Sequence, residues 1–217
     1  MTEPAATGVA RPSRLDRRKA RTRQALVDAA VRLIAEGRGD RASVQEITDA
    51  ADIGFGSFYN HFESKEQLFR TASHEVLERW GAMIDGACAG LTDPAEIFAV
   101  SVRITGRLGW THPDLARFLV GAGLDVLEQP AGLGPRALRD ITAGQDAGRF
   151  SGPHAEVELS AVAGGLLGLL KLHLRRPAEV DETSVDELAR ALLRLLGIAD
   201  DEAGRIVARD LPPTQPW

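Results

Sequence analysis

The sequence predicts an all-α protein in two unequal parts: an N-terminal three-helix module, and a larger helical domain joined to it through one long helix. Three observations carry this. Apolar residues recur at helical spacing along most of the chain, and no segment alternates as a half-buried strand would. Two short helical segments separated by a glycine-containing turn lie close together near the N-terminus, the pattern of a helix-turn-helix. Directly after them, Leu68, Ala72, Val76, Trp80, Met83, Ile84 and Ala87 keep one apolar stripe for about six turns, a rod too long for the small module alone.

Each element follows from its own residues. Residues 1–14, rich in Ala, Pro, Gly and Thr and without periodicity, predict a disordered arm. From Asp16, apolar Leu26, Ala30, Leu33 and Ile34 define a first helix that Gly37 stops, with Asp28 and Arg32 as an i,i+4 pair. Ser43-Val-Gln-Glu46 is a capping box that opens a second helix of about nine residues with Val44, Ile47, Ala50 and Ala51 as its apolar face. After Asp52-Ile53-Gly54 a third short helix spans Phe55 to about His61, and Ser64 caps the rod.

Asp93-Pro94 opens the next helix, and His112-Pro113 the one after, which Gln129-Pro130 ends. A further helix is expected over Pro135 to Ala147. Ala155 to Arg175 is apolar on nearly every face and must be covered on most sides, and its small residues Ala161, Gly164, Gly165 and Gly168 admit another helix at close range. Asp181 to Ser184 caps a final helix striped by Val185, Leu188, Leu192, Leu195 and Leu196, with Asp186 and Arg190 paired on its outer face. The boundaries expected are 1–14 arm, 15–63 helix-turn-helix module, 64–210 helical domain and 211–217 tail.

Composition narrows the function. The single cysteine, Cys88, can form neither an intrachain disulfide nor a cysteine zinc site and reads as a core residue. The N-terminus lacks the apolar segment of a secretory signal, and the longest apolar run, Leu159 to Leu174, is interrupted by Lys171 and His173 and short for a bilayer, so a cytoplasmic protein without membrane contact is expected. The formal net charge of −5 hides an asymmetry: residues 1–70 carry 12 Lys+Arg against 10 Asp+Glu, and the first 23 carry 7 against 2. An acidic body with a basic end suggests a polyanion partner at that end. The five histidines show no metal-ligand spacing, and no nucleophile elbow or phosphate loop is present, so neither an enzyme nor a cofactor is expected.

The only tyrosine, Tyr59, and four of the seven phenylalanines, Phe55, Phe58, Phe62 and Phe69, fall within 15 residues. The stretch Ala51-Asp-Ile-Gly-Phe-Gly-Ser-Phe-Tyr-Asn-His-Phe-Glu-Ser-Lys-Glu-Gln-Leu68 that holds them resembles the signature of the TetR family of bacterial transcriptional regulators, A-G-V-S-x-G-[ST]-[FL]-Y-x-[HY]-F-x-[SN]-K-[ED]-x-L. The resemblance covers Arg17 to Phe69. It implies a transcriptional regulator, by the family's commoner mode a repressor, that binds a palindromic double-stranded DNA operator as a homodimer and is released by a small, hydrophobic effector.

The same resemblance implies site residues. Tyr59, His61 and Lys65 would contact phosphates, joined by Arg17 and Lys19 of the basic stretch, while Phe55, Gly56 and Ser57 would face bases with Gln45 and Thr48 at the edge. Phe58, Phe62 and Ile53 would fill the small core; Phe55, where the family often has a polar or basic residue, could face thymine methyls or pack inward. Gly54 replaces the family's usual serine cap. The effector pocket is expected among Trp80, Met83, Ile84, Phe98, Val102, Trp110, Phe118 and Leu119. The dimer interface is expected on the last two predicted helices, through Leu159, Val162, Leu166, Leu170, Leu188, Leu192 and Leu195. The rival reading is a helical ligand-binding or interaction protein that has lost DNA binding.

Overall fold

The computed structural model describes residues 13–36, 38–130, 132–152 and 154–214, in which helices account for all regular structure. The N-terminal module holds α1 (Arg14–Ala35), α2 (Val44–Ala50) and α3 (Phe55–Phe58). Ser13 caps α1 through a capping box with Asp16, so the first helix begins two residues earlier than the sequence suggests, and Ser13 and Arg14 do not belong to an arm. Residues 1–12 and Gly37 lie outside the described residues. Leu26, Val27, Ala30 and Leu33 of α1 pack with Ile47, Phe58 and Phe62 in one core, completed by Leu68 and Ala72 from the next helix. Arg32 does not pair with Asp28: its guanidinium donates to the Ala50 carbonyl at 2.8 Å and holds the C-terminal end of α2.

The capping box at Ser43 forms as the sequence implies, with Glu46 also held by Arg38 at 2.6 Å. The turn between α2 and α3 passes through Asp52, a non-glycine residue at φ +54°, which stands where the family signature has glycine. Aspartate tolerates the left-handed region better than most residues. α3 is half its expected length. After Phe58 the chain continues in i→i−3 bonds, Asn60 N to Ser57 O at 3.2 Å and His61 N to Phe58 O at 2.9 Å, so Tyr59 to His61 form a tighter turn rather than α-helix.

The long rod is α4 (Lys65–Cys88), followed by α5 (Pro94–Gly106), α6 (Leu108–Thr111), α7 (Pro113–Ala122), α8 (Leu133–Asp146), α9 (Ala155–Arg175), α10 (Glu182–Leu195) and α11 (Asp200–Val207). α11 corrects the expectation that α10 is last: its Ala203 and Ile206 are buried against α5 and α10. Leu211, assigned to the tail, is packed against the body, and residues 215–217 lie outside the described residues. Asp186 does not pair with Arg190; it accepts from Arg103 at 2.7 Å and Arg107 at 3.0 Å, clamping α10 to α5, while Arg190 pairs with Asp200.

Two apolar cores fill the body. Val76, Leu77, Trp80, Ile84 and the buried Cys88 of α4 meet α5, α7 and Leu170, and Phe98, Ile141, Phe150, Val162, Leu192 and Leu193 form the other. α1 packs on α7 as well as on α4, with Val31 touching both the N-terminal core and the body. α9 is 21 residues long, and by length and apolarity alone it would suit a bilayer, so the length argument made from the sequence does not hold. Here α9 lies against α5, α7, α8 and α10.

Candidate nucleic-acid interface and ligand cavity

Positive charge is dense at the start of α1. Arg14, Arg17, Arg18, Lys19 and Arg21 are exposed along the first two turns of α1. Lys19 and Arg23 line a cleft with Asp16, Asn60 and His61, which joins α1 to the turn after α3. Burial, reinforced by Lys19 and Arg23, pushes the His61 imidazole below its ordinary pKa. Arg23 is fixed between two elements, donating to Glu75 at 2.8 Å while its guanidinium lies 5.2 Å from the Phe62 ring centre. Tyr59 is exposed beside this cleft. Lys65 donates to the Ala42 carbonyl at 3.2 Å, tying the start of α4 to the loop before α2. The structure therefore brings Arg17, Lys19, Tyr59, His61 and Lys65 to one module.

Among the predicted base-facing residues, Gly56 and Phe55 are exposed, Ser57 is half-buried and Gln45 is exposed with its amide donating to Asp49 at 2.7 Å. Phe55 does not pack inward; the residue is 47% exposed and its ring rests edge-on against Tyr59. Thr48 is a correction. It is fully buried, and its hydroxyl is committed to the Val44 and Gln45 carbonyls at 3.0 and 2.9 Å, so it supports α2 from within and cannot touch a base.

A cavity of about 110 Å³ lies inside the body. Of the predicted pocket residues, Ile84, Phe98, Val102 and Leu119 line it. Trp80, Met83, Trp110 and Phe118 do not: Trp80 and Phe118 are spent in the core beside it, Met83 flanks that core, and Trp110 sits at the surface over the His173 ring, 4.1 Å between centres. Leu159, Val162, Leu166 and Leu170, expected at a dimer interface, line the cavity instead, because the side of α9 they share faces inward. The outward side of α9 carries Val157, Ala161, Gly164 and Gly168, and Leu195 of α10 is also exposed; Leu188 is half-buried and Leu192 buried. Nothing lies within 4 Å of where a Cβ would stand at Gly164 or Gly168.

One wall of the cavity is charged, and sequence reading missed it. Asp85 of α4 and Arg136 and Asp140 of α8 face an otherwise mainly apolar space, with the Ser101 and Thr105 hydroxyls from α5. Arg136 donates to Glu78 at 2.5 Å and Asp85 at 2.7 Å, and Arg139 to Asp85 at 3.0 Å and Asp140 at 2.8 Å. Burial pushes Asp85 up, but Arg136 and Arg139 outweigh it and hold the carboxyl below its ordinary range. For Asp140 burial wins and its pKa is raised despite Arg139. With both arginines neutralised by carboxylates, this wall does not suit an anion. It suits a small, largely apolar molecule that donates hydrogen bonds to Asp140 or Asp85. The available signal was Arg136, Arg139 and Asp140 at i, i+3, i+4 spacing on one helix, a pattern that ordinarily marks a solvated face. Among the described residues no group of three or more His, Cys, Asp or Glu side chains could hold a metal ion.

Comparison with known proteins agrees with this architecture. The profile described as "Bacterial regulatory proteins, tetR family" matches residues 26–72, and that described as "Tetracyclin repressor-like, C-terminal domain" matches residues 93–209. The chain is 28% identical over 171 residues, 79% of its length and 70% of the relative's, to an uncharacterized HTH-type transcriptional regulator of Mycobacterium tuberculosis. It is 51% identical over 44 residues, 20% of this chain and 22% of the other, to the HTH-type transcriptional repressor DhaR of a Mycobacterium species. The solved structure of RolR in complex with resorcinol superposes with a TM-score of 0.72 at 32% identity, covering 92% of this chain and 99% of RolR.

Proposed function

Since the chain belongs to the TetR family of bacterial transcriptional regulators, we propose that it represses transcription in the cytoplasm by binding a palindromic operator as a homodimer, and that a small hydroxylated aromatic compound releases it. One observation carries the effector half of this reading: α4 supplies Asp85 and Ile84 to the cavity and Leu68 and Ala72 to the core of the DNA-binding module. A molecule in the cavity therefore touches the same helix that positions α3. The charged wall, the modest volume and the resorcinol bound by RolR all favour a phenol or diol over a long acyl chain.

In this reading α1 to α3 and the start of α4 bind DNA, and the helices from α4 onward bind the effector and form the dimer. Phosphate contacts fall to Arg17, Lys19, Tyr59, His61 and Lys65, and base contacts to Phe55, Gly56, Ser57 and Gln45. The outward side of α9, with Val157, Ala161, Gly164 and Gly168, and Leu195 of α10 would meet the same surface of a second copy, and the absent side chains at the glycines allow two helices to approach closely. A twofold dimer would then present its α3 elements to half-sites roughly 34 Å apart.

A ligand that prefers one position of α4 changes that spacing, and coupling of about 1–3 kcal/mol weakens operator binding about 5- to 150-fold. The test is binding of the full-length protein to its own upstream intergenic DNA by fluorescence anisotropy, with random DNA as competitor and with resorcinol added. Competitor-resistant binding that resorcinol weakens is expected. Competitor-resistant binding indifferent to resorcinol and related phenols would overturn the effector class, and binding no tighter than to random DNA would favour a ligand-binding protein that has lost its operator.

A further inference from the structure

We infer that Phe55 is the principal specificity-determining side chain of the DNA-binding face and that it reads thymine through the 5-methyl group. The inference rests on the DNA-binding reading above and deepens it.

The groups available at the leading edge of α3 are few. Gly54 and Gly56 flank Phe55, both are exposed, and nothing stands within 4 Å of where their Cβ atoms would be. The backbone there is bare, and one ring rises from it. The Phe55 ring leans edge-on against Tyr59, 6.0 Å between centres and 71° between planes, and Tyr59 is itself held edge-on by the buried Phe58 at 5.2 Å. This stack orients the Phe55 ring without covering it.

The side chains that could read bases by hydrogen bonding are mostly committed elsewhere. Thr48 is buried with its hydroxyl satisfied, the Gln45 amide donates to Asp49, and Ser57 is half-buried. An exposed ring has no hydrogen bond to give, and in the major groove the thymine methyl is the feature that offers an apolar contact. Two bare glycines at its sides let base edges come close enough for that contact. Specificity at this position is therefore a preference for thymine, set by methyl burial.

The test begins with duplexes that the full-length protein selects from a random-sequence pool. In a selected duplex each thymine is replaced singly by deoxyuridine, which pairs identically but lacks the methyl, and affinity is measured for the wild type and for the Phe55→Ala and Phe55→Leu variants. We expect one or two positions per half-site at which uridine weakens wild-type binding about fourfold, the equivalent of roughly 0.8 kcal/mol for one buried methyl-sized group. Phe55→Ala should bind thymine and uridine duplexes alike, and Phe55→Leu should keep part of the difference. If no sequence is selected, the DNA-binding reading itself fails. If the wild type selects a site yet tolerates uridine everywhere, or Phe55→Ala retains the full uridine penalty, DNA binding stands and the role of Phe55 falls.

Discussion

Gly81 lies in the middle of α4 under the guanidinium of Arg136, and this crossing makes a prediction whose sign depends on a second residue. A Cβ at Gly81 would stand 2.8 Å from Arg136 Cδ and Nη1 and 2.9 Å from Cζ, so Gly81→Ala must displace the flexible end of the arginine. Replacing glycine by alanine inside a helix stabilises by about 0.8–1.0 kcal/mol. Against this stand the bonds of Arg136 to Glu78 and Asp85. Bonds to charged groups contribute about 1.5–3 kcal/mol when buried. Glu78 and Asp85 are 41% and 37% exposed, so a value nearer the surface range, about 0.5 kcal/mol for each of the three, is appropriate. Their joint loss, about 1–2 kcal/mol, offsets or exceeds the helix gain.

Gly81→Ala alone should therefore leave stability unchanged or lower it by up to about 1 kcal/mol. In an Arg136→Ala background the three nearest obstacles are gone, and the same substitution should stabilise by about 1 kcal/mol, or about 2–4 °C in Tm for a chain of this size. Thermal unfolding of the four proteins at one protein concentration measures the cycle. Equal effects of Gly81→Ala in both backgrounds would refute the crossing of Arg136 over α4. It would also remove the reason for a glycine at that point of the rod.

Three other outcomes follow from the same geometry. Asp140→Asn should weaken resorcinol binding about tenfold or more in calorimetry, through loss of a charged acceptor, while operator affinity without resorcinol stays unchanged. His61 is held below its ordinary pKa by burial, Lys19 and Arg23, and an approaching DNA phosphate favours the imidazolium. The complex then binds more protons than the free protein, so operator affinity should rise as pH falls from the value in the complex toward the depressed value of the free protein. His61→Gln should flatten that part of an anisotropy titration across pH. Asp52→Gly should raise stability by about 0.5–1 kcal/mol in urea unfolding, because glycine adopts the φ of +54° without strain; unchanged or reduced stability would mean that the Asp52 side chain contributes more than its backbone conformation costs.

Much of this protein was legible in its order of residues, and the reason is locality. Caps at Ser43, Ser64, Asp93 and Asp181 and the break at Gly54 act within one or two turns, so helix starts could be read directly. The aromatic cluster around Tyr59 identified the DNA-binding module because its spacing is itself the signature. What the order of residues could not decide was which side of an apolar helix faces which neighbour. α9 is apolar nearly all round, so Leu159 and Val162 were expected at a partner subunit, and only the packing of α5, α8 and α10 around them turned them to the cavity. Thr48 looked like a reader of bases until burial committed its hydroxyl. The charged wall was hidden for the same reason: Asp85 and Arg136 lie 51 residues apart, and charges on a helix look solvated until a second helix closes over them. Local physics determined the elements and the DNA-binding motif, and long-range packing alone decided the cavity, its polar wall and the faces left bare.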